Sequence, residues 1–174
     1  LAAGVYGDAV TFTNTTNGSG NTTRPVTLTV TPPPGVLSVT PSGGFTSAGP
    51  EGGPFTPESQ AYTLENTGAT AIDWTASKLR TWTTLSAPSG TLGAGATVTV
   101  TVSINDAADG LAEGDYNDTI SFTNTTNGNG DTARTVSLTV TQGPALIVIP
   151  LHRDVPFSAG TTTFEVSNTG GGTM

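Results

Sequence analysis

Residues 1–31 recur, little changed, at residues 111–141. The first copy reads LAAGVYGDAVTFTNTTNGSGNTTRPVTLTVT and the second LAEGDYNDTISFTNTTNGNGDTARTVSLTVT, an offset of 110 with 20 of 31 positions identical. Such a match marks a duplicated structural unit, and the offset sets the size of that unit. A second echo lies at the front of each unit. Val36-Leu37-Ser38-Val39-Thr40-Pro41 aligns with Ala145-Leu146-Ile147-Val148-Ile149-Pro150, Pro54-Phe55 with Pro156-Phe157, and Tyr62-Thr63-Leu64-Glu65-Asn66-Thr67-Gly68 with Phe164-Glu165-Val166-Ser167-Asn168-Thr169-Gly170. The later unit is about seven residues shorter between the positions of Pro41 and Pro54, which reads as a loop deletion. The chain therefore divides into the C-terminal part of one repeat (1–31), a proline-rich linker (32–35), a complete repeat (36–141), a short linker (142–144) and the N-terminal part of the next repeat (145–174). On this reading both ends fall inside a repeat of a longer tandem array.

Within the complete repeat the apolar period is two. Leu37 and Val39 alternate, then Tyr62 and Leu64, then Ile72 and Trp74. Trp82 and Leu85 flank a less regular stretch. Val98, Val100, Val102 and Ile104 alternate with threonine and serine, followed by Ile120 and Phe122, then Val136, Leu138 and Val140. This predicts an all-β chain of tandem immunoglobulin-like antiparallel β-sandwiches, about seven strands to a complete repeat. The last two strands form a hairpin, because Asn127-Gly128-Asn129-Gly130-Asp131 supplies residues that tolerate positive φ. Asn17-Gly18-Ser19-Gly20-Asn21 does the same in the earlier copy. An odd strand number places the ends of a unit at opposite poles, so units string along one axis. The triple proline of Thr31-Pro32-Pro33-Pro34-Gly35 stiffens the first joint, and Gly143 leaves the second looser.

Composition narrows the function classes. Five Lys and Arg against 13 Asp and Glu give a net charge of −8, which argues against a nucleic-acid groove or an anionic membrane surface. The chain has no Cys and one His, so thiolate chemistry, disulfides and a two-histidine metal site cannot form within it. Charged residues make up 10% of the chain, well below the roughly 25% of an ordinary globular protein. Threonine, about a fifth of the residues, fills the gap with a β-branched side chain that wets a strand surface without charge. Few edge charges leave strands prone to pair with neighbours. No apolar run reaches the roughly 20 residues that span a bilayer. These features point to an extracellular or cell-surface all-β protein and identify no activity.

The stretch 60–140 resembles the BACON family of bacterial immunoglobulin-like domains. The resemblance rests on Tyr62-Thr63-Leu64-Glu65-Asn66-Thr67-Gly68, on Trp74, and on Trp82-Thr83-Thr84-Leu85-Ser86-Ala87-Pro88-Ser89-Gly90. It continues through Gly95-Ala96-Thr97-Val98-Thr99-Val100-Thr101-Val102 to Asn105. The resemblance implies a secreted or surface β-sandwich, in a family named for presumed carbohydrate binding. Tandem copies without a catalytic neighbour fit a stalk, fibre or filament better than an enzyme accessory. The partners expected are adjacent repeats or neighbouring subunits, with glycans as the alternative.

Glycan binding needs exposed aromatic platforms. Trp82 and Tyr116 are the candidates, against a core role for Trp82 and a backbone-bonding corner role for Tyr116. Trp74 alternates with Ile72 and reads as core. Asp106, Asp109 and Asp115 are candidate calcium ligands in an oxygen-rich acidic stretch, but the spacing departs from a twelve-residue calcium loop and a solvated loop is the favoured reading. No cofactor site and no catalytic grouping is expected. His152 has no counterpart in the complete unit, and no Ser–His–Asp set repeats. Lys78, the single lysine and so the sole source for an intramolecular Lys–Asn crosslink, reads as exposed beside Leu79 and Arg80. Asn14, Asn17, Asn21, Asn117 and Asn124 begin Asn-x-Ser/Thr triplets, which composition alone produces in so threonine- and asparagine-rich a chain.

Overall fold

Alternating valine and threonine lose little by extending and gain a packed face when they do. In the computed structural model, which describes residues 1–149, 161 and 163–171, the regular structure is strand apart from one 3-10 turn at Asp106–Ala108. His152 and the Pro156-Phe157 echo lie outside the described residues. The strands are β1 (Gly4–Phe12), β2 (Thr22–Val30), β3 (Leu37–Thr40), β4 (Phe45–Pro50), β5 (Ser59–Asn66), β6 (Ile72–Ser77), β7 (Thr83–Leu85), β8 (Ser89–Leu92), β9 (Thr97–Ile104), β10 (Gly114–Asn124), β11 (Thr132–Thr141), β12 (Leu146–Ile149) and β13 (Glu165–Asn168).

β3 to β11 form a sandwich. One sheet has the order β4-β11-β10-β6-β8, and the facing sheet β3-β5-β9-β7. Inward residues alternate as the sequence requires. On β11, Val136, Leu138 and Val140 are buried while Thr135 and Thr139 face out. Tyr62 and Leu64 on β5, Trp74 on β6, Val100 and Val102 on β9, and Ile120 and Phe122 on β10 complete one apolar core. The Tyr62 and Phe122 rings meet across it with centroids 5.7 Å apart.

The all-β immunoglobulin-like sandwich is as expected, but two details differ. The complete unit has nine strands rather than about seven, the additional ones being β4 and β8. One pairing is parallel: Val136 to Thr141 of β11 run alongside Phe45 to Pro50 of β4. The chain leaves β3, which pairs with β5, and crosses to the other sheet within Pro41 to Gly44. A Cβ on Gly44 would lie 2.5 Å from the Thr135 carbonyl oxygen, so this crossing requires glycine.

The flanking strands repeat the same local builds. In β1–β2, Gly4 pairs with Val30 and so on to Phe12 with Thr22. In β10–β11, Gly114 pairs with Val140 and so on to Phe122 with Thr132, the same register at the offset of 110. β12 and β13 pair Leu146 with Asn168, as β3 and β5 pair Leu37 with Asn66. The environment differs: β1 is exposed along its whole length, whereas alternate residues of β10 are buried.

Asparagine side chains set the turns. Asn66 is fully buried; its Oδ1 accepts from the Val36 and Gly68 amides at 3.2 and 3.0 Å, and its Nδ2 donates to the Thr70, Leu92 and Gly93 carbonyls. Asn168 Oδ1 accepts from Ala145 and Gly170 in the same way, at 3.1 Å each. Asn124 and Asn14 organise the two hairpin loops alike. Each donates Nδ2 to the asparagine three residues on, at 2.8 and 2.7 Å, and each accepts from the amide two residues on. A loop built identically with and without a sandwich around it is set by local sequence.

Candidate functional site: a groove beside Trp82

A concavity of about 460 Å³ is lined by Arg80, Thr81, Trp82, Leu111, Asp115, Tyr116 and Asn117. Two segments build it. One is the turn between β6 and β7; the other is the start of β10 with the loop before it. Asp118 fastens the first to the second. Its carboxylate is 2% exposed and accepts from the amides of Leu79 at 2.9 Å, Arg80 at 3.2 Å and Thr119 at 2.7 Å, and from the Thr83 hydroxyl. A buried carboxylate is tolerated here because it is saturated with donors. Asn105 ties the same turn from the other side. Its Nδ2 donates to the Thr81 and Thr83 carbonyls at 2.9 and 3.1 Å and to the Thr84 hydroxyl at 2.8 Å.

Both glycan candidates therefore line one groove, but neither offers a free platform. Trp82 is 4% exposed and packs in the core. The Tyr116 hydroxyl donates to the Ala112 carbonyl at 2.9 Å, and Tyr6 makes the same bond to Ala2 at 2.8 Å. This is the corner arrangement in which a tyrosine fixes the chain entering a strand. The polar groups of the groove are Arg80, Asp115 and Asn117. Arg80 Nε donates to the Asn117 carbonyl at 3.3 Å, Thr139 donates to Asp115 at 2.7 Å, and Ser137 donates to Asn117 Oδ1 at 2.9 Å. Arg80, Leu111 and Asn117 have no sequence signal, because the groove joins stretches far apart in the chain. The shared Asp8 and Asp118 were the one available clue to the anchor beneath it.

The calcium candidates do not converge. Asp106 and Asp109 border a smaller cavity of about 240 Å³ with Pro54, Phe55, Glu58, Ile104 and Asn105, whereas Asp115 lines the larger groove. Among the described residues no group of three or more metal-ligating side chains comes together. Trp74 is 2% exposed, with Gly90 lying directly against its indole. Lys78 is half-buried rather than exposed, and its Nζ donates to the Arg80 carbonyl at 2.7 Å. Asn124 is 1% exposed, with its amide consumed by its loop, and Asn14 spends its amide identically. Neither triplet presents a free acceptor nitrogen.

No family model and no curated protein matches the chain. Solved structures do. A human ASH/PapD-like domain is 16% identical, with 62% of this chain and 86% of that one aligned at a TM-score of 0.45. A protein of unknown function from Porphyromonas gingivalis is 13% identical over 80% of this chain and 67% of that one, at 0.46. A chain of the CsuC–CsuE chaperone–tip adhesion subunit complex of Acinetobacter baumannii is 12% identical over 62% of this chain and 52% of that one, at 0.43. Likeness at this level says nothing of ligand or partner. No helix among the described residues is long and apolar enough to cross a membrane.

Proposed function

We propose that this chain is a structural, non-catalytic segment of a bacterial extracellular tandem-repeat protein, forming a stalk, fibre or filament at the cell surface. One observation carries the reading. Two hairpins 110 residues apart share register, turn geometry and hydrogen bonds, and a third set of strands repeats the front of the same unit. One module copied along a chain supplies reach and stiffness. The buried carboxylate of Asp118, the buried Arg134, which donates to the Val39 and Pro41 carbonyls, and the buried Asn66 and Asn124 are all spent on holding the module together. The BACON resemblance belongs to the same proposal. Electron microscopy of the native full-length protein tests it. Rods with an axial repeat of one module, roughly 35–40 Å for strands of about ten residues, are expected; short isolated particles without periodicity contradict it.

The alternative is a carbohydrate-binding or adhesin module. The placing of Trp82, Tyr116, Arg80, Asp115 and Asn117 around one groove favours it. Glycan-array binding that is lost in Asn117→Ala and kept in Asn129→Ser, a change at the hairpin loop, supports this reading. No binding by the wild type excludes it for the arrayed sugars.

A further inference from the structure

We infer that Asn129–Gly130 is a site of spontaneous covalent modification, at which the asparagine loses its side-chain nitrogen and the hairpin loop loosens its hold on β3. The inference goes beyond the module reading and does not depend on it. The step is one that any Asn-Gly pair can take. The backbone nitrogen of the glycine attacks the asparagine Cγ. A C–N bond forms, the Cγ–Nδ2 bond breaks, and ammonia leaves carrying the glycine amide proton. The cyclic imide then takes up one water. Opening at one carbonyl gives aspartate; opening at the other gives isoaspartate, in which the main chain runs through Cβ and Cγ. Water is the sole co-reactant.

Asn-Gly pairs lie at 17–18, 127–128 and 129–130. Hydrogen bonds withhold the first two. Asn127 Oδ1 accepts from Asn124 Nδ2 at 2.8 Å and from the Asn129 amide at 2.9 Å, and its Nδ2 donates to the Gly35 carbonyl at 3.0 Å. The Gly128 amide, the group that would attack, donates to the Asn124 carbonyl at 2.8 Å. Asn17 is held alike. Its Oδ1 accepts from Asn14 Nδ2 at 2.7 Å and from the Ser19 amide at 3.0 Å, and the Gly18 amide donates to the Asn14 carbonyl at 2.9 Å. Asn129 has no such restraint. Its side chain is exposed, and neither that side chain nor the Gly130 amide meets a hydrogen-bond partner among the described residues. Gly130 carries no Cβ to hinder the attack. Ser19 takes the place of Asn129 in the earlier copy, so Ser19–Gly20 cannot react in this way.

The site matters because of what its carbonyl holds. The Asn129 carbonyl accepts from the Leu37 amide and from Asn124 Nδ2, each at 3.0 Å. Beside it, Gly130 lies so close to β3 that a Cβ there would sit 1.9 Å from the Leu37 carbonyl oxygen. Leu37 opens β3, the strand that follows the proline-rich linker. Isoaspartate adds one main-chain atom between residues 129 and 130 and turns the former backbone carbonyl into a carboxylate branch. The Leu37 bond and the Gly130 contact then cannot both be kept. Ordinary aspartate leaves the main chain unchanged and adds one charge to an exposed side chain. The two products of one ring therefore differ in effect, and the isoaspartate form is the one that frees β3.

Incubation of the intact chain in mildly alkaline buffer, native and urea-unfolded, with tandem mass spectrometry of its peptides, tests this. In urea both Asn127 and Asn129 are expected to gain the mass of an exchange of NH for O. In the native chain Asn129 is expected to keep a comparable rate, while Asn127 slows by about tenfold or more, the factor that breaking one hydrogen bond imposes. Asn129→Ser is expected to abolish the native-state reaction. Trp74 and Trp82 both lie in the complete unit, so their fluorescence follows its unfolding. The isoaspartate-containing chain is expected to unfold at lower urea than the wild type, and Asn129→Asp at the wild-type midpoint. Two results overturn the inference: equal native-state rates at Asn127 and Asn129, whether fast or slow; or an isoaspartate-containing chain with the same midpoint as Asn129→Asp. Either leaves the module reading standing, which falls only on the microscopy described above.

Discussion

Arg134 and Val39 lie in opposite sheets and are joined directly, the arginine Nη2 donating to the valine carbonyl at 2.7 Å. Arg134 is 8% exposed and also donates to the Pro41 and Ala133 carbonyls and the Thr132 hydroxyl. One cation thereby holds the short edge strand β3 to the other sheet, through carbonyls that lack strand partners on that side. Charged donors make such bonds stronger than neutral ones.

Replacing this residue is therefore costly. Arg134→Met is expected to lower unfolding free energy by about 2–4 kcal/mol, because the Val39 and Pro41 carbonyls lose their donors. Arg134→Lys recovers only part of this, since one ammonium cannot match the planar fork. Arg24→Met, at the same position of the exposed hairpin, is expected to change it by less than about 0.5 kcal/mol. Urea titration followed by tryptophan fluorescence decides this, since both tryptophans lie in the complete unit.

Burial pushes the Tyr62 phenol above its ordinary value of 10.0, and the nearby Arg134 charge pulls it part of the way back. In the unfolded chain the phenol ionises first. Its contribution is therefore complete below about pH 10 and is lost as pH rises through the raised folded value. Tyr62→Phe, which installs the residue the next unit carries at Phe164, is expected to cost about 1 kcal/mol near neutrality through the lost bond to the Gly43 carbonyl. The gap between wild type and variant should then shrink as pH rises past 10, the ordinary phenol value. Melting temperatures from pH 7 to pH 11 measure it; a gap that widens with pH contradicts the assignment.

Asp118 holds the turn at the floor of the groove. Asp118→Ala is expected to destabilise the complete unit by about 2–4 kcal/mol, because the buried Thr83 hydroxyl and the amides of Leu79 and Arg80 lose their acceptor. Asp118→Asn should cost less, as one oxygen still accepts. Asp8, whose carboxylate accepts only from the Ala9 amide among the described residues, is the internal control. Asp8→Ala should leave the urea midpoint of the tryptophan signal unchanged.

Glycine is required at position 130 for contact and at position 20 for backbone conformation alone. Both have positive φ, 86° and 82°. A methyl at Gly130 would strike the Leu37 carbonyl, whereas at Gly20 it meets nothing. Gly130→Ala is expected to cost about 2–4 kcal/mol in the complete unit. Gly20→Ala should carry about 1 kcal/mol of local strain, invisible to tryptophan. Differential unfolding curves of the two variants make the comparison.

Strands with a clean apolar alternation were legible in the sequence: β5, β9, β10 and β11 each place their valines, leucines and aromatics inward as the period of two demands. β4 was not, because its buried position after Phe45 is Ser47, so the inward face carries no apolar signal. β8 offers a single leucine. The parallel pairing of β4 with β11 depends on which sheet the chain crosses to after Pro41, and that is decided by contacts across the sandwich. Trp82 and Tyr116 were legible as candidates one at a time; their meeting in a groove was not, because Asp118 sets it from a distant strand. Arg134 and Asp118 were within reach, since both copies keep them as Arg24 and Asp8 in a chain with only five cations and 13 acids.

The central claim is one module repeated along the chain, and stretching single molecules of the native full-length protein tests it most directly. A module period of 110 residues, released at about 3.5 Å per residue less the folded length, predicts a sawtooth of equal steps of roughly 350 Å. Steps of irregular length, or one cooperative event for the whole molecule, would contradict it.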